Sequence, residues 1–313
     1  MISCAEFIPA YSELFSFLDE NFGGHKEVER FWEYLFKPTG KGIPLINYAK
    51  KDGLRGCFNY WKKTLKEEAA STTRYLNENK GFIFAEMHYC PSKGRLLEYQ
   101  KEIGLVPYYD YCGHCDYYRA HLEKVGLTWI RNHAYVDKAQ CRSLIIDPKK
   151  FKGIIEIDEN TEKFEISAEG AEYFHPDFHS SLNMGIEYLG TNYGIENLKK
   201  FFKRFVKNVY VKTIEEAKLN PLVAIERRIK NTYELEKATN VLTTTLSKDK
   251  LVVSIDYCPA VKHLTDTKRK VSEFFEYSTT FVMQALAEEV GVEFNMDYYD
   301  TLTGKATYSF FAK

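Results

Sequence analysis

Between Glu86 and Cys141 the chain gathers side chains that can do chemistry. Four of its seven cysteines (Cys90, Cys112, Cys115, Cys141) and three of its eight histidines (His88, His114, His133) fall there. Cys112-Gly-His-Cys115 has the two-residue gap that lets paired thiolates grip one metal ion or form a redox pair. A closed tetrahedral site needs four ligands, and no second Cys-x-x-Cys exists. Cys90 and Cys141 would therefore be drawn in from distant sequence, with His88, His114, Glu86 or Asp116 as substitutes. Zinc or iron suits such a set. A catalytic or redox thiol site is the second reading, and buried thiols without function the third.

Cys90 ends an apolar run and precedes Pro91, which opens a helix. Unpaired N–H groups and the helix dipole at that point favour a thiolate, so Cys90 is nucleophile or ligand material. The plain alternative is a Cys-Pro turn between strand and helix, used twice in the chain. Side chains alternate along a strand, so Glu86, His88 and Cys90 are expected on one face, with Ile83, Ala85, Met87 and Tyr89 on the other. A later strand puts Leu127, Trp129, Arg131, His133 and Tyr135 on one side. Arg131 and His133 are expected to line the same pocket and bind a carboxylate.

The elements that must position these groups follow from periodicity. Apolar residues recur at helical spacing from Phe7 to Phe22 and from Val28 to Phe36. After Asp52, the residues Leu54, Cys57, Trp61, Leu65 and Ala69 form one stripe of a helix that Asn79-Lys80-Gly81 stops. A strand from Phe82 to Cys90 and a helix from Pro91 to about Ile103 come next. Pro107 breaks the chain before a helix from about Tyr111 to Val125. Strands over roughly Leu127–Val136 and Gln140–Asp147 follow. Lys149–Glu172 is charged and strand-like and reads as a connecting hairpin.

Beyond Phe174 the same programme repeats. Asp52–Pro91 lies over Asn220–Pro259 without a gap, pairing Leu54 with Leu222, Lys62 with Lys230, Glu68 with Glu236, and Tyr89-Cys90-Pro91 with Tyr257-Cys258-Pro259. Leu122–Gly126 likewise parallels Ala287–Gly291. The expected fold is α+β: a tandem duplication in which each repeat has several helices and a small antiparallel sheet, packed as a pseudo-dimer. Its parts would be residues 1–148, a hairpin at 149–173, and a second repeat at 174–313. Cys112, Cys115 and Cys141 fall opposite Tyr277, Thr280 and Ala306, so the second repeat is read as chemically silent. Cys4 and Cys57, outside the cluster, read as buried core residues.

Composition narrows the function classes. Lys plus Arg number 43 against 44 Asp plus Glu, which gives no electrostatic footprint for nucleic acid or an anionic membrane. A small-molecule partner is the better expectation, and a homodimer is compatible with it. No basic-then-apolar leader and no long uncharged apolar run is present, and the odd, clustered cysteines argue for reduced thiols. A cytoplasmic protein is expected.

The order of a strand ending in Cys90, a helix, Cys112 followed by Asp116, then Gly126, Arg131 on a strand and Cys141 on the last strand resembles the L-2-amino-thiazoline-4-carboxylic acid hydrolase family. It is more distantly similar to vinyl-reductase-like ligand-binding domains, in which cysteines and an acidic residue hold zinc beside an apolar pocket. The match covers roughly residues 52–147. It departs from the family where Cys115 is inserted before Asp116 and where Arg142-Ser-Leu follows Cys141. The resemblance implies hydrolysis of a cyclic amidine-like carbon or amide-like C–N bond in a small sulfur heterocycle. A metal-bound or base-activated water would attack, with Asp116 or His114 moving the proton and Arg131 holding the carboxylate; alternatively Cys90 attacks directly. Glu86, His133 and Tyr135 would complete the substrate site. The non-enzymatic alternative is a metal-stabilised domain that binds a small ligand or senses redox state.

Overall fold

A computed structural model describes residues 1–37 and 43–313. In chain order, helices α1 (Phe7–Phe22), α2 (His25–Leu35) and α3 (Ile43–Glu67) precede strands β1 (Ser71–Asn77) and β2 (Phe82–Tyr89). Then come α4 (Pro91–Ile103), α5 (Tyr118–Glu123), β3 (Thr128–Asn132), β4 (Cys141–Ile146) and β5 (Glu162–Ile166). The remainder runs α6 (Phe178–Tyr193), α7 (Ile195–Val209), α8 (Val211–Ala217), α9 (Pro221–Leu235), β6 (Leu242–Leu246) and β7 (Lys250–Ile255). It ends with α10 (Pro259–Asp266), α11 (Tyr277–Val290), β8 (Glu293–Tyr299) and β9 (Ala306–Phe311). The α+β class is as expected, with two small antiparallel sheets. Among the described residues, no helix is long and apolar enough to cross a membrane.

The chain divides into two compact units, and the division is not the expected 1–148 and 174–313. One unit comprises Phe22–Glu98 and Pro107–His175; the other comprises Met1–Asn21, Tyr99–Val106 and Pro176–Lys313.

The first of these units is built on a five-stranded sheet of order β3-β4-β2-β1-β5. Alternation in β2 buries Ile83 and Ala85, and the cross-strand partners Ile145 and Trp129 are buried with them. Helices α3 and α5 pack on strands of this sheet. The apolar stripe of α3 supplies buried Leu54, Cys57 and Leu65. Burying side chains of this size stabilises by roughly 1.5–3 kcal/mol each.

Three local expectations need correction. The helix after Asp52 ends at Glu67, not near Asn79, because Ala69 turns the backbone left-handed (φ 53°) and the β-branched Thr72 and Thr73 lead into β1. The hairpin at 149–173 does not form: only Glu162–Ile166 is a strand, and it pairs antiparallel with β1. Ile154, Ile155 and Ile157 are exposed, with no neighbouring strand among the described residues to cover them. The strand after Gly126 ends at Asn132, so His133 and Tyr135 lie beyond its alternation.

The other unit carries a four-stranded sheet of order β6-β7-β9-β8. Leu251, Val253 and Ile255 form its buried face, as alternation predicts. Helix α7 packs on α11, and it buries Phe201, Phe202 and Phe205, with the Phe201 ring 5.8 Å from that of Phe17 and the Phe205 ring 5.2 Å from that of Tyr210. Asn220 caps α9 by accepting the Val223 N–H at 3.2 Å, and Pro221 occupies the first turn, where its missing N–H costs nothing.

Numbered within each unit, the first four strands of one sheet and the four of the other have the same spatial order, 1-2-4-3. The left-handed residues recur at matching places: Ala69 and Lys237 after the long helix, Gly126 and Gly291 before the third strand, Ala139 and Gly304 before the fourth. The amide of Cys90 donates to Ala139 O at 2.7 Å, and that of Cys258 to Thr303 O at 2.9 Å.

Candidate functional site

The site lies where β2 hands over to α4. Cys90 sits just past the end of β2, and its sulfur accepts the Lys93 N–H at 3.5 Å, capping the first turn of α4. Opposite it, residues Tyr111–Tyr117 form a 3-10 helix and not the expected α-helix. Three residues per turn eclipse side chains at i and i+3, so Cys112 stacks with Cys115 and Tyr111 with His114. Gly113 permits the tight winding: a Cβ there would lie 2.6 Å from Asp110 Oδ2 and 2.9 Å from the Trp32 ring.

Cys90, Cys112, Cys115, Cys141, His114 and Arg131 all line one cavity of about 40 Å³, together with Ser92, Lys93, Tyr111, Val136, Ala139 and Gln140. That volume accommodates a few water-sized groups. The four thiols are half-buried. They are not assembled as a closed metal centre: among the described residues, no three of these ligand atoms lie within 4.8 Å of one another.

Within the cavity one pairing is chemically specific. His114 Nδ1 lies 2.5 Å from Tyr111 O, and His114 Nε2 lies 3.5 Å from Cys115 Sγ. A carbonyl can only accept, so Nδ1 carries the proton and bare Nε2 accepts from the thiol. Thiol, base and a third group orienting the base is the arrangement of an activated nucleophile. The spacing of the paired cysteines points Cys115 toward metal or redox chemistry. No spacing signal reveals its pairing with His114, because that depends on the 3-10 turn.

Burial pushes the other thiols up. Cys112 is raised to about 12, chiefly by loss of water and then by the neighbouring Cys115. Cys90 is raised further by burial, against the Lys93 N–H that favours its thiolate. Desolvation at the start of α4 therefore outweighs the dipole effect expected from Pro91. Cys141 is also raised by burial, less so because Arg131 stands beside it.

Arg131 is buried at 6% side-chain exposure; its guanidinium donates to Cys112 O at 3.3 Å and approaches Cys141 Sγ at 3.8 Å. Burial disfavours its charge, but Cys115, Cys141 and Asp116 more than offset this and hold it protonated. Asp116 lies 3.7 Å from Arg131 and 3.5 Å from His133, at the edge of the site and outside the cavity wall. Burial alone would raise the Asp116 carboxyl, but His133 and Arg131 hold it below the usual range. It is a charged partner for Arg131 more readily than a proton donor.

Glu86 and His88 do not join Cys90. Met87 is the cross-strand partner of Cys141 and Glu86 that of Arg142, so Cys141 projects with Met87 and Ala85 while Glu86 and His88 project to the opposite face. Cys90 escapes this alternation because β2 has already ended. The His88 ring bonds Thr73 Oγ1 at 2.8 Å, and Glu86 pairs with Arg142 at 3.0 Å. His88, Glu86 and Tyr135 line a second hollow of about 130 Å³ with Met87, Asn132, Gln140, Cys141 and Arg142. Gln140 and Cys141 belong to both walls. His133 lines neither.

In comparisons with known proteins, the chain matches no family model, no curated protein and no solved structure.

Proposed function

We propose that the unit formed by residues 22–98 and 107–175 is a small-molecule hydrolase that opens an amide-like or cyclic amidine C–N bond, with a carboxylate-bearing sulfur heterocycle as its substrate class. One observation carries the reading: Tyr111 O, His114 and Cys115 form a thiol–base–orienter chain in a cavity that also holds a buried guanidinium. The Cys115 proton would pass to His114 Nε2 as sulfur bonds to the substrate carbon. The departing nitrogen takes that proton as the C–N bond breaks. Water, deprotonated by His114, then adds to the carbon, the S–C bond breaks, and the thiol regains its proton. Arg131, ordered by Asp116, would hold the carboxylate. The reacting group would occupy the smaller hollow and the rest of the substrate the larger one, lined by Glu86, Tyr135 and Arg142. The resemblance to L-2-amino-thiazoline-4-carboxylic acid hydrolases, carried by Cys90, Cys112, Asp116, Gly126, Arg131 and Cys141, supports the same class.

The test is turnover of 2-amino-thiazoline-4-carboxylate and a panel of small cyclic amidines, followed by product chromatography. Release of ring-opened product that disappears in Cys115→Ala and His114→Gln is expected. Full activity in Cys115→Ala would overturn the assignment of the nucleophile, and no turnover of any member would overturn the substrate class.

A second reading is supported by the four sulfurs around a volume no larger than a few waters. Cys90, Cys112, Cys115 and Cys141 would hold one zinc or iron ion after rotating inward, and the domain would bind a small ligand or sense redox state. Stoichiometric metal lost in Cys112→Ser and Cys115→Ser would favour it. The common strand order and the recurring left-handed positions support an origin by tandem duplication, with the chemistry kept in one copy. Seven unbridged cysteines suit a reducing compartment such as the cytoplasm.

A further inference from the structure

The other unit holds a cluster of its own. In the unit containing residues 1–21 and 176–313, Cys4 from the 3-10 turn Cys4–Glu6, His179 from α6 and Glu236 at the end of α9 place one sulfur, one nitrogen and one oxygen within 4.8 Å of one another. All three are buried, at 1%, 1% and 6% exposure. Glu236 accepts the Cys4 N–H at 2.5 Å on one oxygen and the His179 Nε2–H at 2.9 Å on the other. The other ring nitrogen, His179 Nδ1, is buried with no hydrogen-bond partner among the described residues. Nε2, not Nδ1, is the ring nitrogen that meets Glu236.

We propose that Cys4, His179 and Glu236 bind one divalent transition-metal ion of the zinc class. A thiolate and a carboxylate neutralise a doubly charged ion without further counter-charge, and a sulfur–nitrogen–oxygen donor set suits zinc. In a tetrahedral zinc site, nitrogen and oxygen ligands lie about 3.3 Å apart, so the His179–Glu236 contact needs to open by only a few tenths of an ångström. Three side chains leave the fourth tetrahedral position to a water or small ligand; with all three donors buried, the ion would fasten the Cys4–Glu6 turn to α6 and α9.

The whole chain would be equilibrated with Zn²⁺ or Co²⁺, freed of loose ions, and assayed by elemental analysis and absorption. One ion per chain is expected, with a thiolate-to-cobalt band that vanishes in Cys4→Ser and persists in Cys112→Ser and Cys115→Ser. Loss of zinc is expected to raise hydrogen exchange around residues 4–6 in the otherwise folded wild-type chain, a readout that does not depend on any variant folding. Failure to take up an ion in competition with a chromophoric chelator, a cobalt form without the thiolate band, or loss of the ion only in the Cys112 and Cys115 variants would each overturn the proposal.

Discussion

Alkylation by iodoacetamide at pH 8 should discriminate sharply among thiols that share one cavity wall. An ordinary thiol with pKa near 8.5 is about one-quarter thiolate at that pH, whereas Cys112, pushed up to about 12, is roughly 10⁻⁴ thiolate. The deficit is about 2,400-fold. A more basic thiolate is intrinsically more nucleophilic, and with a Brønsted coefficient of about 0.4–0.5 this returns roughly 25- to 55-fold. Cys112 should therefore label roughly 40- to 100-fold more slowly than an unperturbed thiol. Cys115 has a base 3.5 Å away and should label first among the four. His114→Gln should remove that lead, since a positioned base contributes about 10²–10⁴-fold to such a step. Time-resolved peptide mass spectrometry reads all four rates in one experiment. Equal rates at Cys112 and Cys115, or an unchanged Cys115 rate in His114→Gln, would refute the assignment of His114 as the base.

Other consequences follow from the same geometry. Arg131→Met should weaken binding of a carboxylate ligand by about 2–5 kcal/mol, roughly 30- to 5,000-fold, measured by calorimetry or as a rise in KM, because the charge-assisted contact is lost in a buried setting. Stability should fall in alkali. Burial raises Cys57 and Cys112 to about 12, so the folded state keeps protons that the unfolded chain releases above about 8.5. Their contribution is full below that pH and declines above it, by about 4 kcal/mol for the pair at pH 10, as denaturant melts at pH 7 and 10 would show. Gly94→Ala places a methyl 2.3 Å from the Tyr89 ring, whose hydroxyl donates to Glu98 at 2.6 Å. About 1–3 kcal/mol of destabilisation is expected from the forced shift, measured by thermal melting. Ile83→Ala, at 1% exposure, should cost about 2–5 kcal/mol in the same assay.

Legibility in the sequence follows the range of the physics involved. The starts of β2 at Phe82 and of α4 at Pro91 are readable to the residue, since alternation from Phe82, an N1 proline at Pro91 and a buried Ile83/Ala85 face are local signals. So are the paired Cys-Pro turns at Cys90 and Cys258, and residue type alone anticipates the gathering of Cys90, Cys112, Cys115 and Cys141 with Arg131 around one cavity. The faces of Glu86 and His88 relative to Cys141 are not readable, because they depend on the Met87–Cys141 register and on β2 ending before Cys90. The Cys115–His114 pair requires a 3-10 turn that the glycine between Cys112 and His114 allows but does not dictate. Thr72 and Thr73 mark β1, yet a strand beside a long helical stripe is overshadowed by the helix. Cys4 reads as simple core because its partners His179 and Glu236 come from the far half of the chain.

The most direct measurement is a single-turnover reaction of the wild-type chain with a 2-amino-thiazoline-4-carboxylate-type substrate, quenched in acid and examined by peptide mass spectrometry. A transient substrate-derived mass on Cys115, absent in His114→Gln, is the predicted result. Product formation at an undiminished rate in Cys115→Ala, with no adduct on the wild-type thiol at any time, would contradict a nucleophilic Cys115.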